Sequence, residues 1–281
     1  MVVLWQPDSF NMQIRIMKKI ILQGFIIVAL FFAAWFLLMQ VNWIEIFKLN
    51  VLQDKTEEKL GDLFWEMFQK TETEIQNQFV LNSIDSIVIK ICSENKIDKE
   101  LIKIHVIEKD EINAFALPNG HLVIYTGLIL NSDNYEEMSG VICHEMAHIQ
   151  LNHVMKKLLK EVGLSVLISM TTGNGSSETI KETAKLLSSS AFDRNLEKEA
   201  DIKAVDYLVN AKINPEPFAQ FLYKLSDMET VPIKYLTWIS THPESKERAE
   251  YIIEYSRDVK VKYEAILTNE TWDKMKEKLR E

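Results

Sequence analysis

Cysteine is scarce: the 281 residues hold two, Cys92 and Cys143. That excludes a disulfide scaffold and a cysteine-rich zinc finger. One bridge between the two is compatible with an oxidising compartment, and their spacing does not decide it. Positive charge is also short. Lys and Arg total 32 against 41 Asp and Glu, a net charge of −9. A chain this acidic has no general attraction for phosphate backbones, which argues against nucleic acid as a partner. No repeat at the periods of solenoids or propellers is visible. Long apolar runs are limited to one.

That run, Ile20 to Met39, reads IILQGFIIVALFFAAWFLLM and carries no charge. About 20 apolar residues span a bilayer core as a helix. Arg15, Lys18 and Lys19 precede it, whereas Glu45 and Lys48 cancel after it. The asymmetry of basic residues predicts a cytoplasmic N-terminus and an extracytoplasmic remainder. Trp35 and Trp43 suit the far interface. A cleaved signal peptide is the competing reading, but the run exceeds a usual signal core and no A-x-A site follows. Met17-Lys18-Lys19 resembles the start of a bacterial membrane segment, so residues 1–16 are either a short cytoplasmic tail or upstream of the true start. The expected layout is a cytoplasmic segment over 1–19, a membrane anchor over 20–39, a linker over 40–53 and one globular domain over 54–281.

Apolar residues make up 47% and charged residues 26%, enough for an ample core. Helical spacing recurs through 54–95. Residues 102–108 and 121–126 read as strands, with the turn residues of 111–120 between them. Helices are expected at about 134–160, 178–210, 215–228 and 244–256, with a flexible stretch at 171–177 (TTGNGSS). The fold class is α+β, mainly helical with a small sheet.

The chain has six histidines, and three fall in VICHEMAHIQLNH, residues 141–153. A helix turns about 100° per residue, so His144 and His148 lie about 40° apart on one face. Two imidazoles one turn apart can reach a single metal ion. Glu145 between them completes H-E-x-x-H, two zinc ligands and a glutamate that activates water. His153, nine residues after His144, lies about 180° around a continuous helix and reads as a histidine bonded within the fold. Zinc needs a third protein ligand and an open position. Residues 194–201, RNLEKEAD, offer it. Glu197 and Asp201 share a helix face, one as ligand and the other placed to orient a ligating histidine. Glu199 points about 200° away from Glu197 and is passed over. His105 reads as structural, His121 is undecided, and His242 sits on a turn before Pro243 from which it can enter a cleft.

These motifs resemble the gluzincin metallopeptidases that include HtpX, the CAAX prenyl protease, BepA and LoiP. His144 to His148 is the metal-binding helix, followed by His153. Glu197-Lys198-Glu199-Ala200-Asp201 is the third-ligand motif E-x-x-A-D. Asn113-Ala114-Phe115-Ala116-Leu117-Pro118-Asn119-Gly120 is similar to the edge-strand segment N-A-F-A-L-P-G-G, with Asn119 where glycine is usual. Ser240-Thr241-His242-Pro243 is the S-T-H-P motif. With one apolar run, the chain looks most like the single-anchor BepA–LoiP branch. The resemblance implies one zinc ion held by His144, His148 and Glu197, with Glu145 as base and Asp201 behind a ligand. It implies that Asn113, Ala114, Phe115 and Ala116 pair with an extended protein or peptide substrate. His242 would stabilise an oxyanion or block the metal in a resting state. The implied function is a membrane-anchored zinc endopeptidase that clears misfolded envelope or membrane proteins. The rival is a chaperone-like binding module with a latent or structural zinc site, against which the intact Glu145 argues. A loop hinged at Gly173 and Gly175 is a candidate lid. Nothing in the sequence sets an oligomeric state.

Overall fold

The computed structural model describes residues 7–39, 49–227 and 237–281. Trp43 and most of the expected linker therefore lie outside the described residues. The chain divides into two compact units, residues 1–54 and 55–281. In the first, helix α1 (Pro7–Met39) carries exposed apolar side chains that include Phe25, Phe31 and Trp35. The anchor expected over 20–39 includes Ile20, Ala34 and residues 37–39, whose side chains lie outside the described set. Among the described residues no helix is long and apolar enough to cross a membrane.

The second unit is mainly helical around one small sheet. Helices α2 (Leu49–Thr71) and α3 (Gln78–Asn95) lead into strand β1 (Lys103–Ile107). Strands β2 (Ala114–Ala116) and β3 (His121–Tyr125) follow, and the sheet order is β1-β3-β2. β1 runs parallel to β3, and β2 runs antiparallel to it. Asn119 (φ 60°) and Gly120 (φ 71°) make the turn between β2 and β3. Asparagine tolerates this left-handed region, so the departure from glycine at 119 is absorbed. A Cβ at 120, in contrast, would stand 1.8 Å from the Leu101 carbonyl oxygen.

Alternation along β3 feeds two cores, as the two-residue period of a strand requires. Leu122 and Ile124 join the larger core with α3. Val123 and Tyr125 join a smaller one with Leu60 and Phe64 of α2. After β3 come α4 (Thr126–Asn131), α5 (Tyr135–Gln150), α6 (His153–Glu161), α7 (Leu164–Thr171) and α8 (Ser177–Ser189). Then follow α9 (Arg194–Asn210), α10 (Glu216–Asp227), α11 (Thr237–Thr241), α12 (Ser245–Ser256) and α13 (Asn269–Lys278).

Two of the helices expected from periodicity are broken. The one expected over 134–160 stops at Leu151 and Asn152, the latter at φ 57°, and α6 restarts at His153. The one expected over 178–210 is interrupted between Ser189 and Arg194. Periodicity continues across each break because both flanking helices bury an apolar face. α5 is buried almost throughout and packs against α9 and α10. The approach to α10 is close: a Cβ at Gly140 would lie 2.3 Å from the Phe218 Cβ. This packing holds the helix of His144 and His148 in the middle of the domain.

Candidate metal centre

α5 brings His144 and His148 onto the face that meets α9, where Glu197 is waiting. α11 ends at Thr241, and the next residue, His242, joins them. Ligand atoms of His144, His148, Glu197 and His242 all lie within 4.8 Å of one another, and all four residues are buried. His148 Nε2 faces His144 Nε2 at 3.0 Å. His242 Nδ1 is 3.2 Å from His144 Nε2 and 2.9 Å from Glu197 Oε1.

Proton bookkeeping tests whether a cation fits. Asp201 Oδ1 is 2.8 Å from His144 Nδ1. An ionised carboxylate only accepts, so Nδ1 carries the proton and Nε2 of the neutral ring presents a lone pair to the cluster. Two imidazole nitrogens and a carboxylate pointing at one place, with the His242 ring beside them, suit zinc, which is the cofactor of this site.

The second layer is built from α12. Arg248 donates from Nε and Nη2 to the two oxygens of Asp201 at 2.8 and 2.7 Å, and from Nη1 to the His242 carbonyl at 3.1 Å. Its Nη1 is also 3.0 Å from Glu197 Oε2. Tyr251 donates to Asp201 Oδ2. Burial alone would raise the Asp201 carboxyl, but Arg248 and His144 hold it far below its ordinary range. Glu197 is likewise lowered, His242 and Arg248 overcoming its burial.

Glu145 lies beside the cluster with both oxygens engaged. Oε2 accepts from the Ala116 backbone N–H at 3.1 Å, and Oε1 from Trp238 Nε1–H at 3.2 Å. His242 Nε2 is 3.3 Å from Oε1. Burial favours the neutral acid, but His242 outweighs it and the carboxyl falls to about 2. His242 moves the other way: against burial, Glu197 and Glu145 raise it to about 9. Burial pushes His148 down to about 3.

The edge strand reaches the same place. Asn113 and Leu117 bond to β3 through Tyr125 N–H to Asn113 O and Leu117 N–H to His121 O. Ala114 and Ala116, between them, therefore turn their backbone groups to the other side, toward Glu145. Phe115 points into the smaller core.

The whole arrangement is closed. Phe192, from the link between α8 and α9, stacks on His148 with ring centroids 4.0 Å apart, and on His242 at 5.8 Å. Its N–H donates to the Thr241 carbonyl at 3.3 Å. Lys157 Nζ lies 4.1 Å over the Phe192 ring, and burial lowers this amine to about 8. α8 packs against both β2 and α11.

His153 and His105 lie outside the cluster, bonded within the fold as the sequence reading expects. His153 is fully buried, with Nδ1 3.1 Å from His148 Nδ1 and Nε2 3.3 Å from Glu199 Oε2. Its imidazole is lowered by burial and by Lys156. Because the helix breaks at Asn152, His153 reaches the back of His148 and not the opposite face of a continuous helix. Glu199 does point away from the cluster, as its spacing requires, yet it reaches His153. His105 and His121 form a separate pair, 2.9 Å apart between Nε2 and Nδ1, stacked under Trp65. Cys92 and Cys143 are free and buried. Sequence reasoning gave no role to Trp238, Arg248, Tyr251 or Phe192. The first three lie within 13 residues of the S-T-H-P turn, the only signal available.

The fold and the centre define a class, the zincin-type metallopeptidases. The chain belongs to Peptidase family M48, whose pattern matches residues 80–256. It is 31% identical over 165 residues to Metalloprotease LoiP of Escherichia coli, covering 56% of this chain and 64% of that one. It is 29% identical over 166 residues to the mitochondrial Metalloendopeptidase OMA1 of Bos taurus, covering 53% and 31%. It is 24% identical over 204 residues to the Beta-barrel assembly-enhancing protease of Escherichia coli, covering 68% and 42%. The matches thus span less than two thirds of each relative's own length.

Proposed function

We propose that the chain is a membrane-anchored zinc endopeptidase that hydrolyses peptide bonds in misfolded envelope or membrane proteins, with its catalytic domain on the extracytoplasmic side. The observation that carries the chemistry is the convergence of His144, His148, Glu197 and His242 beside a doubly hydrogen-bonded Glu145. His144, His148 and Glu197 would hold the metal, and Asp201 fixes the tautomer of His144. Zinc bound there supplies a Lewis acid that makes water nucleophilic near neutral pH and polarises the scissile carbonyl.

Glu145 is kept ionised, so it can take the proton of the attacking water and pass it to the leaving amine nitrogen. Ala114 and Ala116 turn backbone donors and acceptors toward the centre, and an extended peptide would pair there as an added strand. His242 brings positive charge within reach of a developing oxyanion. Only after losing its Nδ1 proton could the same ring add a fourth donor to the metal, which would suit a resting state.

The proposed layout keeps residues 1–19 cytoplasmic, 20–39 as the anchor, 40–53 as linker and 54–281 as the peptidase domain. Support for the anchor is the uncharged run from Ile20 to Met39 behind three basic residues. The envelope assignment leans on the named relatives. The test is hydrolysis of an unfolded casein-type substrate by the full chain in detergent, with and without a chelator. Chelator-sensitive cleavage is expected. Zinc binding without cleavage would favour a binding module. Protection of residues 60–281 from protease in spheroplasts would reverse the topology.

A further inference from the structure

Each imidazole of the H-E-x-x-H pair needs its second nitrogen fixed if its first is to face a metal. For His144 the partner is Asp201, directly. For His148 the partner is another imidazole. His153 Nδ1 faces His148 Nδ1 at 3.1 Å, and His153 Nε2 faces Glu199 Oε2 at 3.3 Å.

The protons along this line have one consistent order. The Glu199 carboxylate only accepts, so His153 Nε2 carries a proton. A neutral His153 ring then accepts at Nδ1. His148 Nδ1 must be the donor, which leaves His148 Nε2, the atom in the cluster, with its lone pair free. Reversing any one bond would put a proton on the atom that points at the metal position.

The backbone is arranged for this. Asn152 at φ 57° ends α5 and lets α6 restart with His153 folded back behind His148. His153 is then completely buried, held by its two polar partners. Both terminal carboxylates come from α9, the helix that also carries Glu197. One helix thereby supplies a cluster carboxylate and orients both imidazoles of its neighbour.

We propose that His153 and Glu199 are positioning residues that set the tautomer and ring plane of His148 for zinc. The proposal rests on reading the cluster as a zinc site. The two lines differ in strength. Asp201 is buried and further held by Arg248 and Tyr251, whereas the Glu199 side chain is 53% exposed, so its pull is screened by water.

The test is the zinc dissociation constant of the full chain in detergent, measured by competition with a chromogenic chelator. His153→Phe removes the acceptor and is expected to weaken zinc by roughly 10- to 100-fold. His153→Asn, whose amide oxygen can stand near the lost Nδ1, is expected to restore most of that. Glu199→Ala should weaken zinc by a smaller factor, and Glu199→Gln, which still accepts through oxygen, should stay near wild type. Nitrogen-15 spectra of the imidazoles in the zinc-loaded chain should show His148 protonated at Nδ1. Wild-type affinity in both His153→Phe and Glu199→Ala would overturn the proposal, as would equal losses in His153→Phe and His153→Asn. If His153→Phe does not fold, the exposed Glu199 variants still decide. A wild-type chain with no zinc affinity would instead overturn the zinc reading on which the proposal rests.

Discussion

The backbone N–H of Ala116 donates to Oε2 of Glu145 at 3.1 Å, so the outer strand of the small sheet and the glutamate of the H-E-x-x-H motif share a hydrogen bond. The strand that would bind substrate is thus held at a fixed distance from the group that would move the proton. A glutamate tied this way cannot be replaced by an amide without loss. Its other oxygen accepts from Trp238, and an amide accepts at one end only.

Glu145→Gln is therefore expected to reduce peptide hydrolysis by about 10²-fold or more, since general-base catalysis is commonly worth 10²–10⁴. Bound zinc should be unchanged, because Glu145 lies outside the donor cluster. A small drop in thermal stability should accompany it, of about 1–2 kcal/mol, from one mismatched buried donor. Metal analysis beside a peptide assay separates these effects. Loss of zinc in this variant would mean that Glu145 is a ligand.

Glu197→Ala should strip zinc far more than Glu199→Ala. Glu197 contributes an oxygen to the cluster, whereas Glu199 acts through His153. Removing Glu197 also leaves Arg248 and His242 without one of their buried counter-charges. Zinc stoichiometry at micromolar metal should fall well below one for Glu197→Ala and stay near one for Glu199→Ala. The reverse order would exchange their roles.

The parts legible in the sequence were those governed by short, regular spacing. His144 and His148 sit one turn apart on any helix, and Glu197 and Asp201 do the same, so their faces followed from 100° per residue. The strand at 103–107 followed from the alternation of 102–108. The illegible parts depend on where a helix stops. Asn152 in a left-handed conformation redirected His153, and no hydrophobic period records such a turn. The same holds for the break before α9 that seats Phe192 on His148. Trp238 and Arg248 reach the centre only through tertiary packing, so spacing alone could not assign them.

Phe192 offers a test of access. Its ring lies on His148 and His242, and the link that carries it follows α8, which packs on β2. Upstream, Gly173 at φ 82° permits a hinge. α7 is a separate helix that buries Leu167 and Met170 in the smaller core and leaves Leu164 and Ile168 exposed. Phe192→Ala should raise kcat/KM several-fold on a short peptide while zinc stays bound, at some cost in stability from the lost packing. His242→Ala should also change turnover without removing zinc, because three donors remain. Wild-type activity in both variants would leave these residues as connectors.

The pair His105 and His121 should make stability depend on pH outside the metal centre. Burial lowers both rings to about 4, and for His121 the neighbouring His105 adds to it. Above pH of about 6.5 both rings are neutral whether the chain is folded or not. Between about 6.5 and 4 the unfolded chain takes up protons that the folded chain refuses, so stability falls as pH falls through that window. Each ring is worth up to about 3 kcal/mol by this route, and less for the second proton of a touching pair. Two carboxylates face them. Glu74, 3.0 Å from His105 Nδ1, is itself raised by burial and opposes the trend near the acid end. Asp62, 3.8 Å from His121 Nε2, is exposed and gives the added proton a weak partner. Urea unfolding of the zinc-free chain at pH 7 and at pH 4.5 is the measurement, with a His105→Gln, His121→Gln double variant beside it. Wild type should lose more stability than the variant over this interval, by a few kcal/mol. An equal loss in both would mean that the two rings titrate as they do in water.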